Sequence, residues 1–304
     1  MRNLLSANFS RLWHSVWFWL CGLGMLGYTL WEVSQLYAFR AHALTVWEVE
    51  RADFATPRVG DCSLLLLIAM AVLCPLFLNS DYHDGTIRNK LVVGRTRVQV
   101  YLANYLTMLA AALLYTLIFE AVTLLAIACT IPENLWNARA IAMKLAGLLP
   151  FILSVAALFT LLGQLVRSRG VTILAILLVV LLLWLPQYQF QCLCEPQQKG
   201  NLEGVEMFVE VGERGEPHPT YWRDGQKITE DQIEMVPNPR FLAPPQRRLY
   251  TFLLNFLPGG QAFQLSDSID VEGGSGPLMA AYGLLLSTLA TGLGLLAFRR
   301  KDLK

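Results

Sequence analysis

A charged segment, DYHDGTIRNKLVVGRTR, occupies residues 81–97 between two long apolar runs. Its basic residues are Arg88, Lys90, Arg95 and Arg97. Such a group can bind anionic lipid, the phosphates of a nucleic acid or an acidic protein surface. Next to a bilayer, topology and anionic lipid already account for basic residues, so no nucleic-acid contact is expected. The segment is interpreted either as a basic loop that fixes topology or as a docking element for another protein.

Glycine and threonine residues divide this segment into a helix, a turn and the start of a longer helix. Thr86, which follows Gly85, is a suitable N-cap, and Gly94 suits the position just beyond a helix C-terminus. Residues 87–93 are therefore predicted to form a two-turn helix. Thr96 is a suitable cap for the apolar helix that follows. We expect a short helix that lies parallel to the membrane surface.

Two charged residues, Glu120 and Lys144, interrupt apolar runs that are long enough to cross a membrane. A charge at mid-depth in a bilayer is costly, so it is usually paired or functional. With a helical rise of about 1.5 Å per residue, the heights of the two residues differ by roughly 6 Å. An interhelical ion pair is predicted. The alternatives are that Lys144 extends towards the membrane surface while Glu120 faces a wet cavity, or that Glu120 contacts a substrate.

Known catalytic and cofactor motifs do not occur in the chain. There is no G-x-x-x-x-G-K-[ST] loop, so nothing in the sequence can cradle nucleotide phosphates. The zinc-protease and nucleophile-elbow motifs HExxH and GxSxG are also missing. His83 with its two neighbouring aspartates offers too few ligands for a metal site. No catalytic residue, metal site or bound cofactor is expected, and any ATP and Mg would be used by a partner subunit.

Composition and hydropathy define the class of protein. Of the 304 residues, 55% are hydrophobic and 15% are charged, whereas soluble domains carry about 25% charged residues. Apolar runs of about 20 residues cross a bilayer as helices. The predicted fold class is an all-α polytopic membrane protein with six transmembrane helices. The six spans are predicted over residues 13–36, 62–78, 98–129, 140–166, 171–187 and 278–298.

The remaining segments add a peripheral helix and an insertion to this fold. An amphipathic N-terminal helix is predicted because Leu5, Phe9, Leu12 and Val16 share one helical face. The domain boundaries are expected at residues 1–12 for this cytoplasmic helix, 13–187 for spans one to five, 188–277 for an extracytoplasmic domain with outer helices, and 278–304 for span six with a basic tail.

The extracytoplasmic insertion between spans five and six is predicted to be a small mixed α/β domain. Residues 205–211 alternate like a strand, and residues 220–228 predict a hairpin. Residues 229–236 predict a short helical turn. Residues 244–265 predict two helices that are separated by a Pro-Gly-Gly break.

Basic residues determine the expected orientation, and small residues suggest a packing surface. With both termini inside, the short inner segments hold twelve Lys and Arg residues against three acidic ones, so the positive-inside rule places both termini in the cytoplasm. Span six carries Gly283, Ser287 and Thr291 at intervals of four residues, a stripe that permits close helix packing. The stripe can pack within the chain or form the seam of a dimer.

The charged segment also follows a recognisable pattern. Residues 81–97 match the pattern acidic-x-x-x-G-T-[IL]-R-x-K-L-x-x-G-x-[ST]-R. Two further segments also match: residues 256–265 read FLPGGQAFQL, and residues 298–304 read FRRKDLK. Together these resemble ABC transporter permeases of the type-2 exporter superfamily, and in particular the small six-span permeases of Gram-positive bacteria encoded beside peptide-export or bacteriocin-immunity systems. Two positions depart from the family: Asp81 stands where Glu is usual, and Asn104 stands where many relatives carry Lys.

This resemblance implies that the short helix is a coupling helix, which docks on a cytoplasmic ABC ATPase subunit. It implies two copies of the ATPase, a second permease copy or a homologue, and a bacterial cytoplasmic membrane whose lipid bilayer surrounds the spans. The residues that the resemblance assigns to ATPase docking are Asp81, Asp84, Gly85, Thr86, Arg88, Lys90, Gly94 and Arg97.

The expected function is that of the membrane-spanning permease subunit of an ATP-driven exporter for amphipathic or antimicrobial peptides or lipophilic compounds. Residues 188–276 hold thirteen acidic and seven basic residues, a balance that suits cationic peptides but also an ordinary solvated surface. The alternative is a non-transporting membrane sensor or immunity module that binds a peptide through its outer domain.

Overall fold

The computed structural model describes residues 1–46, 59–83, 85–130, 138–165, 170–201, 205–211, 217–223, 226–229, 233–266 and 276–300. Within these residues helices predominate, and two small sheets accompany them. The chain divides into two compact units, one formed by Met1–Gln187 with Thr251–Lys304 and the other by Tyr188–Tyr250.

Each of the six predicted spans coincides with a helix, and so do the N-terminal helix and the short helix of the charged segment. The helix bounds are α1 Arg2–Trp13, α2 Val16–Val46, α3 Cys62–His83, α4 Thr86–Val92, α5 Arg97–Thr130, α6 Ala138–Leu165, α7 Gly170–Cys194, α8 Pro244–Phe256, α9 Pro258–Leu265 and α10 Gly276–Arg300.

Five of these helices are long and apolar enough to cross a membrane, which supports a multi-pass membrane protein. They are α3, α5, α6, α7 and α10. The helix α2, which was predicted to be the first span, has 31 residues but is not among the five found in the described part of the chain.

The helix α10 packs on α6 and α5 through the small-residue stripe. A Cβ atom on Gly283 would lie 3.0 Å from the Pro150 carbonyl oxygen of α6, so the glycine allows close approach of the two backbones. One turn further on, Ser287 is buried and its Oγ lies 3.4 Å from the Tyr105 hydroxyl oxygen of α5. Thr291 is partly buried. The stripe therefore contributes to packing within the chain.

The N-terminal helix turns Leu4, Asn8 and Leu12 towards the protein, and these are the buried residues of α1. Of the predicted apolar face, Leu12 is buried, whereas Phe9 is 41% exposed and Val16, which belongs to α2, is 68% exposed. Polar partners inside the protein, described below, hold the Asn8 side of α1 inwards. The peripheral position of this helix stays a prediction.

The second unit contains two antiparallel sheets. The strands β2 (Val205–Val211), β3 (Pro217–Arg223) and β4 (Gln226–Ile228) form one sheet in that order, and β1 (Gln198–Gly200) pairs with β5 (Met235–Pro237). The strand predicted over residues 205–211 and the hairpin within residues 220–228 are confirmed. The helical turn predicted over residues 229–236 was wrong at its end, because Met235 and Val236 pair with β1, while residues 230–232 lie outside the described residues.

The helix α9 belongs with the membrane helices, so the predicted outer segment is divided between the two units. Leu257 separates α8 from α9, and Pro258 takes the first position of α9, where proline is favourable. Gly259 and Gly260 lie buried inside α9. A Cβ atom on Gly259 would lie 1.6 Å from the Leu182 carbonyl oxygen, so α9 is pressed against the backbone of α7.

Candidate functional site

The C-terminal end of the short helix α4 is set by a glycine in a left-handed backbone conformation. Gly94 has a φ of 83°. The N–H of Gly94 donates to the Leu91 carbonyl at 3.0 Å, and the N–H of Arg95 donates to the Lys90 carbonyl at 3.2 Å. This pair of hydrogen bonds is the Schellman motif that closes many helices. The end predicted at Gly94 is confirmed.

Two threonines mark the starts of α4 and α5. Thr86 is the first residue of α4 and Gly85, with a φ of 65°, holds the N-cap position, so the predicted start was wrong by one residue. The Thr86 hydroxyl donates instead to the Asp81 carboxylate. The cap predicted at Thr96 is confirmed: the N–H of Gln99 donates to the Thr96 hydroxyl at 3.2 Å, and the N–H of Thr96 donates to Gln99 Oε1 at 3.3 Å.

Replacing Gly94 with alanine is expected to cost about 1–2 kcal/mol of unfolding free energy, because L-residues are strained in the left-handed region. Nothing lies within 4 Å of a Cβ atom at Gly94, so the cost comes from the backbone alone. The measurement is a titration with denaturing detergent. Gly94→Asn is the matched control and should cost less, because asparagine tolerates this conformation; a larger loss for Gly94→Asn would contradict the expectation.

A polar junction links α4 to three other helices. We define the polar junction as Asn8, Arg11, Asp81, Thr86, Lys90 and Asn104. Asp81 lies at its centre with a side chain that is 0% exposed. Arg11 of α1 donates to its carboxylate, and Lys90 Nζ of α4 lies 3.3 Å and 3.2 Å from its two oxygens. Two cations therefore compensate the burial of one carboxylate.

Arg11 also binds the C-terminal part of α3 directly. Its Nη2 donates to the Phe77 carbonyl at 3.1 Å and to Ser80 Oγ at 3.3 Å. The guanidinium carbon lies 4.4 Å from the centroid of the Phe77 ring. The guanidinium fork thus binds a carboxylate, a carbonyl, a hydroxyl and a ring face together. In the sequence Arg11 is one basic residue among several, and its separation of 70 residues from Asp81 offers no signal that the two are partners.

A pair of buried amides completes the polar junction. Asn8 Nδ2 of α1 donates to Asn104 Oδ1 of α5 at 2.8 Å, and each residue is 1% exposed. Asn8 Oδ1 accepts a hydrogen bond from Lys90 Nζ at 3.1 Å. One continuous set of polar contacts therefore joins α1, α3, α4 and α5. The partners of Asn8 lie 96 and 82 residues away in the sequence, so no local pattern indicates these contacts.

The ammonium group of Lys90 lies inside the polar junction, in contact with Asp81 and Asn8. Burial lowers the pKa of the Lys90 ammonium below its ordinary value, and the Asp81 carboxylate opposes this by raising the same pKa. Lys90 was expected to face an ATPase, but its Nζ contacts Asp81 and Asn8. The residue therefore positions α4 on the membrane helices.

Arg97 likewise makes an internal contact at the start of α5. Its Nη1 donates to the Arg299 carbonyl at 2.9 Å and to the Phe298 carbonyl at 3.5 Å. These carbonyls belong to the last turn of α10, where a cation is favourable. Asp84 and the side chain of Arg88 lie outside the described residues.

The outer surface of α4 is small and partly apolar. Val92 and Val93 are 79% and 76% exposed. Asn89 and the two flanking glycines of the charged segment, Gly85 and Gly94, are also exposed. Ile87, by contrast, is 3% exposed and packs against the helices beneath. The helix is therefore fixed on one side and free to contact a partner on the other.

Glu120 and Lys144 converge on the chain just before α3. Glu120 Oε1 accepts hydrogen bonds from the Gly60 N–H and from Cys62 Sγ, both at 3.1 Å. Lys144 Nζ donates to the Val59 carbonyl at 3.2 Å. The two side chains thus hold consecutive parts of one short segment, and the direct ion pair between them stays a prediction.

Comparison with known proteins adds no family assignment. No protein-family model matches the chain, and neither curated proteins nor solved structures give a match. The argument for function therefore depends on α4, on the polar junction and on the apolar helices.

Proposed function

We propose that this chain is the membrane-spanning permease subunit of an ATP-driven ABC exporter in a bacterial cytoplasmic membrane, with both termini in the cytoplasm. In this proposal α4 is the coupling helix, and two copies of a separate ABC ATPase, which use ATP and Mg, dock on two permease chains. The second permease chain is a copy of this one or a homologue. The chain has no phosphate-binding loop, so the energy must come from the partner.

The observation that carries the proposal is the two-sided construction of α4. On one side, Lys90 Nζ lies 3.2 Å from the buried Asp81 carboxylate. On the other side, Val92 and Val93 are largely exposed. Adjacent exposed apolar residues on a short rigid helix suit insertion into a groove of another protein. A basic loop that only fixed topology would need neither the buried anchor nor the exposed valines.

The polar junction also supports a route by which movement of α4 reaches the membrane helices. Lys90 joins α4 to Asp81 of α3 and to Asn8 of α1. Arg11 joins α1 to α3, and Asn8 joins α1 to Asn104 in α5. Arg97 joins the start of α5 to the end of α10. A displacement of α4 by an ATPase would therefore act on several helices together, as alternation between inward-facing and outward-facing arrangements requires.

An apolar cleft supports an amphipathic or lipophilic substrate taken from the bilayer. The cleft lies between α2 and α5, has a volume of ≈ 280 Å³, and includes Trp19, Leu23 and Tyr115 in its lining. Ligand sites are typically apolar and concave, with few polar groups. The acidic balance of residues 188–276 favours cationic substrates among them.

Replacing both Val92 and Val93 with glutamate is expected to weaken ATPase binding roughly 30-fold, because losing an interface anchor costs about 2 kcal/mol. The measurement is co-purification of an ABC ATPase with the tagged chain from its native membrane, followed by ATP hydrolysis in nanodiscs. This pair tests docking more cleanly than Lys90, whose replacement would break the polar junction.

Met207→Glu is the matched control, because Met207 is an apolar residue of β2 that is 59% exposed and lies far along the chain from α4. Its ATPase binding should equal that of the original chain. If the valine double variant binds the ATPase normally, α4 is not the docking element. If no ATPase co-purifies with the original chain, the sensor or immunity alternative replaces the exporter.

A further inference from the structure

Among the described residues, only one of the two oxygens of the Glu120 carboxyl group has hydrogen-bond partners. The residue is 5% exposed, and its Oε1 accepts both hydrogen bonds, one from Gly60 and one from Cys62. Among the described residues, its Oε2 has no hydrogen-bond partner. The same holds for Oγ1 of Thr123, which is also 5% exposed. Glu120 and Thr123 are three residues apart in α5, so they share one face of the helix.

This arrangement fits a neutral acid better than a carboxylate. A buried ionised oxygen without a donor is strongly unfavourable, above all within a membrane-spanning helix. A proton on Oε2 removes the charge from this buried oxygen. The Thr123 hydroxyl, although on the same face of the helix, does not hydrogen-bond Oε2 in the structure. We propose that Glu120 is a proton-binding site, with the proton on Oε2 and with Oε1 as the C=O oxygen that accepts from Gly60 and Cys62.

The groups that face Glu120 allow this state. From the start of α3 the titratable residues are Asp61 and Cys62, and the Cys62 thiol already donates to Oε1. From α6 the charged residue is Lys144, whose ammonium donates to the Val59 carbonyl. On the α2 side, Tyr28 stacks on the neighbouring Phe119. The helix α9 has no ionisable side chain in its sequence PGGQAFQL.

The proton on Glu120 would affect the contacts between α3, α5 and α9. Gly60, whose N–H binds Glu120, has a φ of 95° and packs so closely on α9 that a Cβ atom there would lie 2.4 Å from the Leu265 carbonyl oxygen. Ser63 Oγ also donates to the Ala262 carbonyl of α9 at 2.8 Å. Loss of the proton would place a negative charge where these three helices meet. The folded state therefore binds the proton more tightly than the unfolded state, and its stability should fall as the pH rises.

The test is infrared spectroscopy of the purified full-length chain in nanodiscs at neutral pH. We expect a protonated-carboxyl C=O band that Glu120→Gln removes and that Glu206→Gln, a change at an exposed glutamate of β2, leaves intact. Cys62→Ala retains the acid but removes one donor to its C=O oxygen, so the band should move to higher frequency. This second variant keeps the proposal testable if Glu120→Gln does not fold. No part of this experiment depends on an ATPase or on transport.

Two outcomes would overturn the proposal. The first is a spectrum in which the original chain lacks the band and Lys144→Met gains it, because Lys144 would then hold Glu120 ionised. The second is a band that Cys62→Ala leaves unshifted, because the C=O oxygen would then not be the Glu120 Oε1 that Cys62 binds. As a further readout, the melting temperature should fall between neutral and alkaline pH in the original chain and fall less in Glu120→Gln; equal falls would count against the site.

Discussion

Replacing Asp81 with alanine is expected to lower the free energy of unfolding by about 3 kcal/mol, because it leaves two partly buried cations without their counter-ion. The fully buried carboxylate binds Arg11, Thr86 and Lys90, which belong to α1 and α4. Without it, the guanidinium and the ammonium would face each other. The measurement is a titration of the purified protein with denaturing detergent, followed by circular dichroism.

The contribution of the Arg11–Asp81 pair can be separated from the loss of one side chain by a double-mutant cycle. Arg11→Met combined with Asp81→Ala should cost less than the sum of the two single losses, because both variants remove the same interaction. Glu206→Ala, at an exposed carboxylate, is the control and should change stability by less than about 0.5 kcal/mol. Additive losses would show that Arg11 and Asp81 act independently.

Replacing Gly259 with alanine is expected to destabilise the membrane-helix unit by more than about 3 kcal/mol, beyond the usual range for overpacking. The added Cβ atom would lie 1.6 Å from the oxygen and 2.6 Å from the carbon of the Leu182 carbonyl. These are backbone atoms of α7, so the clash cannot be relieved by a side-chain rotation. The α9 helix must move, and its contacts with Gly60 and Ser63 would be lost with it.

Gly292→Ala in α10 is the matched control, because nothing lies within 4 Å of a Cβ atom at that position. An alanine there should be neutral or slightly stabilising, since alanine favours helix by up to about 1 kcal/mol over glycine. The two variants are compared by yield, by melting temperature and by detergent titration. Equal stability of the two variants would show that α9 does not pack on α7 as described.

The helices were largely predictable because each follows from a local pattern of apolar residues. The predicted second span began at Cys62, where α3 begins, but its end was placed at residue 78, whereas α3 continues to His83. The extra turn contains Ser80 and Asp81, polar residues that normally end an apolar run. It stays helical because Arg11, from a distant part of the chain, binds both side chains.

The C-terminal cap of α4 and the N-terminal cap of α5 were predictable because capping depends on residues that are close together in the sequence. A glycine beyond a helix end and a threonine three residues before a glutamine act on backbone groups within one turn. The start of α4 was predicted one residue late, with Thr86 as the N-cap, whereas Gly85 holds that position. In the structure the Thr86 hydroxyl goes to Asp81, so the tertiary contact took precedence over the cap.

Local residue patterns were enough to predict the apolar helices, the short helix between α3 and α5, and the strand and hairpin of the second unit. The polar partnerships could not be predicted in this way: Arg11 binds Asp81, Asn8 binds Asn104, and Glu120 binds the start of α3. Helix and strand patterns repeat over a few residues, whereas a buried charge is satisfied by whichever partner the packing of distant helices brings within hydrogen-bonding distance.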